Sequence, residues 1–253
     1  MTKERIIRRA KELGIERIGF SQNAVIALFP YFVKGEAGNL SMYARGIDYH
    51  IVAEKKLKEL SKLLIELGAK TTEIHVDKGK HNDRKAAYES GLGFYGMNGM
   101  LICPGYGSYF FIGQLIHDLK LESDLPDKRD CLMCGRCERE CPTRALTGGK
   151  VDANRCLSHI TQKRGELTVQ EKELLKKQGT CWGCDICQRV CPHNQGLKTT
   201  AMPEFLENRI ISLSACDLEG LSNKEFKERY GNYAFSWRGK SVLLRNLRIY
   251  EEE

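Results

Sequence analysis

Eight cysteines carry the clearest chemistry in this chain. They form two runs, Cys131-Leu-Met-Cys134-Gly-Arg-Cys137-Glu-Arg-Glu-Cys141-Pro142 and Cys181-Trp-Gly-Cys184-Asp-Ile-Cys187-Gln-Arg-Val-Cys191-Pro192. Each reads C-x2-C-x2-C-x3-C-P, the spacing that holds two 4Fe–4S cubanes in bacterial ferredoxins. Three thiolates two residues apart wrap a tight turn around three corners of one cubane. The fourth lies beyond the turn and serves the other cluster, and the proline keeps the turn from continuing as helix. Zinc favours separated C-x2-C knuckles, so this spacing selects iron–sulfur. Cys156 lies between the runs and makes nine nearby thiols for eight ligand places. The ferredoxin pattern uses Cys181 and leaves Cys156 spare. The total of eleven cysteines is odd, which argues against a disulfide framework. Cys103 and Cys216 read as ordinary buried small residues.

Two linked cubanes form an electron wire, and a wire needs an acceptor. Residues 1–125 are the place for it. Asp77 follows the apolar strand Ile74-His75-Val76 and precedes Lys78-Gly79, a position that suits an active-site acid as well as a simple turn. Gly91-Leu-Gly93-Phe-Tyr-Gly96 matches G-x-G-x-x-G, but no strand leads directly into it and no helix follows, so a dinucleotide site is not expected. Its glycines instead allow close approach of the backbone to a ligand or another loop. His75, His81 and His117 have no partners at metal-ligand spacing.

The elements that must position these groups are legible in outline. Thr2 to Leu13 has helical apolar spacing and stops at Gly14. Arg17–Phe20 and Ala24–Phe32 read as strands. Asp48 caps a helix to Leu67, and Thr72–Val76, Met100–Cys103 and Tyr109–Leu115 read as strands around a short helix from Arg84 to Ser90. This makes 1–125 an α+β domain, 126–200 a ferredoxin-like double-cluster domain with a capping box at Thr168-Val-Gln-Glu171, and 201–253 a helical C-terminal segment. The 253 residues are 42% hydrophobic and 29% charged, as in a soluble globular protein. The net charge of +7 permits an anionic partner without requiring one. The longest apolar run, Ala24 to Val33, is too short to span a bilayer. The charged start reads as a helix rather than a signal peptide, so a cytoplasmic location without membrane contact is expected.

Several blocks, in order, resemble epoxyqueuosine reductases, the cobalamin-dependent, double-cluster enzymes of queuosine tRNA modification. They are Ser41-Met-Tyr-Ala-Arg-Gly-Ile-Asp-Tyr-His50, Val76-Asp77, Asp83-Arg84, Gly91 to Asn98, Gly107-Ser108, both cysteine runs, Arg155-Cys156-Leu-Ser-His-Ile-Thr-Gln162, Pro192-His-Asn194 and Leu244-Arg245-Asn246. The resemblance implies two 4Fe–4S clusters and a base-off cobalamin over residues 1–125. It implies ligation by Cys131, Cys134, Cys137 and Cys191 for one cluster, and Cys141, Cys156, Cys184 and Cys187 for the other, with Cys181 a spare thiol beside the second. It implies Asp77 as proton donor, kept protonated by burial beside the corrinoid. Cofactor contacts are expected from Tyr43, Asp48, His50, Arg84, Gly93, Gly96, Asn98 and Ser108. An external donor such as a flavodoxin or ferredoxin would supply electrons. The basic stretch Lys224–Arg248, with seven Lys/Arg against two Glu, would lie along tRNA phosphates. The chain departs from the family at Met97, where a lysine is usual, and at Asn82, where a glutamate is common. Its N-terminal segment is short, and longer members continue into helical repeats. Alternative readings are a related corrinoid reductase of a small molecule and a two-cluster electron carrier without catalysis.

Overall fold

The computed structural model describes residues 2–35, 37–77 and 82–252; Lys78, Gly79 and His81 lie outside the described residues. Helix α1 (Thr2–Glu12) buries Ile6 and Ala10, one turn apart on one face. Strands β1 (Arg17–Ser21) and β2 (Ala24–Pro30) form a tight hairpin. Helix α2 (Tyr49–Glu66) starts where the Asp48 carboxylate accepts the His50 N–H at 3.0 Å, satisfying an otherwise orphaned amide. Its inner face is Val52, Ala53, Leu57, Leu60 and Leu64. Then follow β3 (Thr72–His75), α3 (Asp83–Glu89), the hairpin β4 (Phe94–Tyr95) and β5 (Leu101–Ile102), and β6 (Phe110–His117).

Among the described residues the main sheet has the order β1-β2-β6-β3, and every pairing is antiparallel. Strand β2 is buried along its whole length, and its alternation explains why. Val25, Ala27 and Phe29 join one core with α1 and α2, while Ala24, Ile26 and Leu28 join a second with Ala87, Leu92 and Leu101. The sheet is therefore the middle of three layers, and the expected α+β domain is present.

The cysteine region is built from short pieces: α4 (Arg136–Arg139), the hairpin β7 (Leu146–Thr147) and β8 (Lys150–Val151), α5 (Leu157–Ile160), α6 (Val169–Gln178) and α7 (Ile186–Arg189). Helices α4 and α7, one from each cysteine run, pack together. The Thr168 box forms in both directions, with Glu171 N–H donating to the threonine hydroxyl and Thr168 N–H to the glutamate.

The C-terminal segment is less helical than expected. Helices α8 (Asn223–Tyr230) and α9 (Lys240–Glu251) are present, but residues 201–222 contain only single 3₁₀ turns at Pro203–Phe205 and Ala215–Asp217. Pro203 starts the first turn, and the reciprocal cap between Ser214 and Asp217 closes the second after three residues. This segment also binds the other two together. Met202 and Phe205 enter the core beside the sheet. Leu40 and Ala44 share another core with Trp182, Leu218, Phe235 and Leu243.

Candidate functional site

Cys131, Cys134, Cys137 and Cys191 line one cavity, closed on the opposite side by Gly96, Asn98 and Ile102 of the β4–β5 hairpin region. Burial raises the Cys137 and Cys191 thiols, and the neighbouring Cys131 adds to both. Among the described residues no three His, Cys, Asp or Glu side chains gather closely enough for a single metal ion. Four thiols lining one void suit a cubane, in agreement with their spacing in the sequence. Cys156, Cys184 and Cys187 form a second neighbourhood. Burial pushes Cys184 up to about 11 and Cys187 up to about 12, and each thiol also feels Cys156. Cys187 feels Cys137 too, so the two neighbourhoods adjoin. At Cys141 desolvation is outweighed by hydrogen bonds from the Thr143 hydroxyl and the amides of Thr143, Ala145 and Leu146, which lower the thiol. Such a thiol is ready to ligate as thiolate.

Cys181 has different surroundings from Cys184 and Cys187. It is fully buried in the apolar core with Trp182, Leu218 and Leu243, and its Sγ donates to the Asn39 carbonyl at 3.3 Å. Burial pushes it up to about 12, and the charge it feels is Glu251. It therefore packs as a small apolar residue within a core. Cys103 is buried as expected, whereas Cys216 is exposed, because its short 3₁₀ turn directs Ala215 inward instead.

Two latches hold the second cysteine run against the first domain. In the first, Asp185 accepts the Ser41 hydroxyl on Oδ1 and the Met42 N–H on Oδ2 at 2.7 Å. Gly183, at φ +74°, lies so close that a Cβ there would collide with Ser41 and stand 2.9 Å from the Tyr43 ring. In the second, Ser108 N–H donates to Asn194 Oδ1 at 2.8 Å, and Asn194 Nδ2 donates to Ser108 Oγ at 2.9 Å and to the Gln188 carbonyl at 2.8 Å. Gln188 Nε2 donates to the Ser108 carbonyl at 3.0 Å. All three residues are buried, and a closed network of this kind fixes relative position.

Asp77 sits just past β3, the edge strand, with a left-handed backbone at φ +50°. Its N–H donates to Asp83 Oδ2 at 3.1 Å, and its Oδ2 accepts the Tyr49 hydroxyl at 2.8 Å. Asp83 is itself held by Gln114 Nε2, and desolvation raises its carboxyl. The Tyr49 ring stacks on Phe111, with centroids 4.1 Å apart and planes 7° apart. Burial, then the Asp77 charge, raises the Tyr49 hydroxyl far above its ordinary range, so it stays a donor. Tyr43 is raised by burial and by Asp185, Asp48 and Asp77, which puts all of these groups in one neighbourhood. Without a bound ring Asp77 is exposed, because the edge strand has ended and no layer of the described residues covers it.

The other expected cofactor residues divide in two. Tyr43, Asp48 and His50 lie around Asp77, with His50 Nδ1 held 2.8 Å from Asp48 Oδ1. The rest build the protein frame around them. Arg84 donates to the Gly99 carbonyl at 2.7 Å. A Cβ at Gly93 would strike the Ile102 carbonyl, and one at Gly96 would stand 2.7 Å from Asn98 Oδ1, so these glycines let the hairpin close on itself. Asn98 bridges the Met100 N–H and the Cys187 carbonyl, and Ser108 is spent in its latch. Tyr49, Asp185, Gln188 and Asn194 were not singled out for these roles by sequence reasoning. Part of the basic stretch is engaged within the fold, while Lys224, Lys227 and Arg229 are exposed. Lys240 donates to the Leu221 carbonyl, Arg245 to the Lys163 and Gly165 carbonyls, and Arg248 pairs with Glu219 at 3.0 Å. Among the described residues no helix is long and apolar enough to cross a membrane.

Comparison with known proteins agrees with this geometry. A family model described as a 4Fe-4S double cluster binding domain matches residues 130–194, and one described as epoxyqueuosine reductase QueG matches residues 22–78. The epoxyqueuosine reductase of Lactococcus garvieae is 41% identical over 213 residues, which is 83% of this chain and 60% of that protein. That of Leadbetterella byssophila is 34% identical over 214 residues, covering 84% of this chain and 70% of the relative. Across the curated relatives from Lactococcus garvieae, Staphylococcus aureus and Bacillus anthracis, the chain spans 60%, 57% and 53% of their length. The structure of epoxyqueuosine reductase from Streptococcus thermophilus superposes with a TM-score of 0.86 at 31% identity, over 98% of this chain and 80% of that one. A catabolic reductive dehalogenase at 17% identity and TM-score 0.59 shares the fold. With this identity and coverage, and with the second cysteine run latched through Asp185 to the segment that carries Tyr43 and Tyr49, the chain belongs to the epoxyqueuosine reductase family.

Proposed function

We propose that this chain reduces epoxyqueuosine in tRNA to queuosine, with electrons passing singly through two 4Fe–4S clusters to a bound cobalamin. The observation that carries this reading is the convergence on residues 39–49. That short segment is tied to the second cysteine run through Asp185 and to Asp77 through Tyr49. A relative with a TM-score of 0.86 was solved with an epoxyqueuosine-modified tRNA-Tyr stem loop, and the shared fold includes a B12-dependent reductive dehalogenase.

The cluster ligands would be Cys131, Cys134, Cys137 and Cys191 for one site, and Cys141, Cys156, Cys184 and Cys187 for the other. An external one-electron donor such as a flavodoxin or ferredoxin would load them. For the corrinoid, the residues fit in kind. Tyr43, Gln162 and Tyr49 offer hydroxyl and amide groups to a ring fringed with amides, on the face where Asp77 stands uncovered. When bound, the corrinoid supplies a low-potential cobalt centre able to reduce the epoxide. Conversion of an epoxide to an alkene consumes two electrons and two protons and releases water. Asp77 gives the departing oxygen its first proton. Tyr49 holds Asp77 Oδ2, which fixes the carboxyl group in one orientation and leaves its other oxygen for the substrate. A ring and nucleoside bound beside Asp77 would exclude water from it.

The test is turnover. Chain reconstituted without oxygen, loaded with iron and cobalamin and supplied with reductant, should remove one oxygen atom from the epoxyqueuosine of modified tRNA, read by mass spectrometry of the nucleosides. Absence of queuosine from a preparation with both cofactors bound would overturn the proposal.

A further inference from the structure

The chain has two tryptophans, and they are treated in opposite ways. Trp182 is fully buried, whereas Trp237 is 56% exposed. A lone exposed aromatic needs no explanation by itself. Trp237, however, is held in a fixed attitude. Its Nε1–H donates to Gln162 Oε1 at 3.1 Å, and Gln162 Nε2 donates to the Tyr43 hydroxyl at 3.3 Å and to the Ser158 carbonyl at 3.0 Å. The Arg238 guanidinium lies over the indole, 3.7 Å from the ring centroid. Arg238 Nε is buried and has no hydrogen-bond partner among the described residues. The backbone below is anchored, because Ala234 and Phe235 of the preceding turn are in the core. Arg245 donates to the Lys163 carbonyl and so fixes the loop that carries Gln162 and the exposed Arg164.

The result is a rigid aromatic plane, two hydrogen bonds from Tyr43 and hence beside the Asp77 neighbourhood. The Arg238 guanidinium lies against it, and the exposed Arg164 follows Gln162 by two residues. A plane of this kind suits a π-face, and the guanidinium groups suit a polyanion. We propose that Trp237 is the stacking platform for one unpaired base of the substrate RNA loop, with Arg238 and Arg164 against the adjoining phosphates. This rests on the reading of tRNA as the substrate. Trp237 touches neither the clusters nor Asp77, so it is a positioning residue that sets where the loop lies.

The experiment is direct binding of a fluorescently labelled anticodon stem-loop to the cofactor-loaded chain, read by anisotropy. Stacking of one base on an aromatic side chain is worth about 1–3 kcal/mol, so Trp237→Ala should raise Kd by roughly tenfold, while Trp237→Phe should stay within about threefold of the wild type. Iron content and thermal midpoint should be unchanged in both. The specific signature is a cycle with abasic loops. At one loop position, removal of the base should weaken wild-type binding by the same factor, and Trp237→Ala should then weaken it no further. Binding of the Trp237→Ala chain as tight as wild type would overturn the proposal. So would a Trp237→Ala loss that persists at every abasic position, or a loss confined to an electron-donor protein. Failure of the functional reading is separately visible, as absence of queuosine formation by the wild-type chain.

Discussion

The Asp77 carboxyl gains its character from one neighbour. Tyr49 donates to it at 2.8 Å, and the tyrosine is itself locked by stacking on Phe111. A Tyr49→Phe change keeps the ring and removes only the donor. It should lower kcat roughly tenfold with little change in KM, since loss of orientation affects the chemical step more than binding. Asp77→Asn removes the proton itself and should cost about 10²–10⁴ in queuosine formation while iron, cobalt and RNA binding remain. Equal turnover in Asp77→Asn and wild type would remove this residue from the mechanism. The cysteines give a second contrast. The Cys184 and Cys187 thiols both feel Cys156, whereas Cys181 lies in an apolar core against Asn39. Cys156→Ser should therefore lose one cluster, with iron falling from about eight to about four per chain, and Cys181→Ala should retain about eight. The reverse pattern of iron counts would restore the ferredoxin assignment.

At the scale of elements, the account depends on how the cysteine runs are held against the sheet. Asn194 serves both the Ser108 amide and hydroxyl and the Gln188 carbonyl, and all three residues are buried. Asn194→Ala leaves buried groups unpaired and should cost about 1–3 kcal/mol, seen as a fall of several degrees in thermal midpoint. A midpoint unchanged within error would show that the latch is not under load. These latches also mark the limit of what the amino-acid order makes legible. The Asp48 cap, the Thr168–Glu171 box and the cysteine runs are local, so a spacing of two or three residues reveals them. The bond from Ser41 to Asp185 crosses 144 positions, and that from Tyr49 to Asp77 crosses 28. No periodicity connects such pairs, because only the folded sheet brings them together. Exposure of Asp77 was hidden for the same reason: the burial of a residue after a strand depends on whether that strand lies at an edge. Residues 201–222 misled in another way, since amphipathic composition is shared by helix and by irregular chain that packs on a core.

For the whole molecule, the three parts of the chain are joined through shared cores. The C-terminal segment contributes Met202 and Phe205 to the sheet's core and Leu243 to the core around Trp182, so it clamps the cluster region onto the first domain. Arg245 shares that task, while the exposed Lys224, Lys227 and Arg229 and the Trp237–Arg238 corner are the features suited to a nucleic acid. The arrangement makes sense only if both kinds of centre occupy the same chain. The most direct measurement is the metal content of protein reconstituted without oxygen and freed of unbound cofactor, taken with its visible spectrum. The account predicts about eight iron atoms and one cobalt per chain, with corrinoid absorption shifted from that of the free cofactor. Four irons or fewer, or cobalt that washes away with no spectral shift, would contradict it.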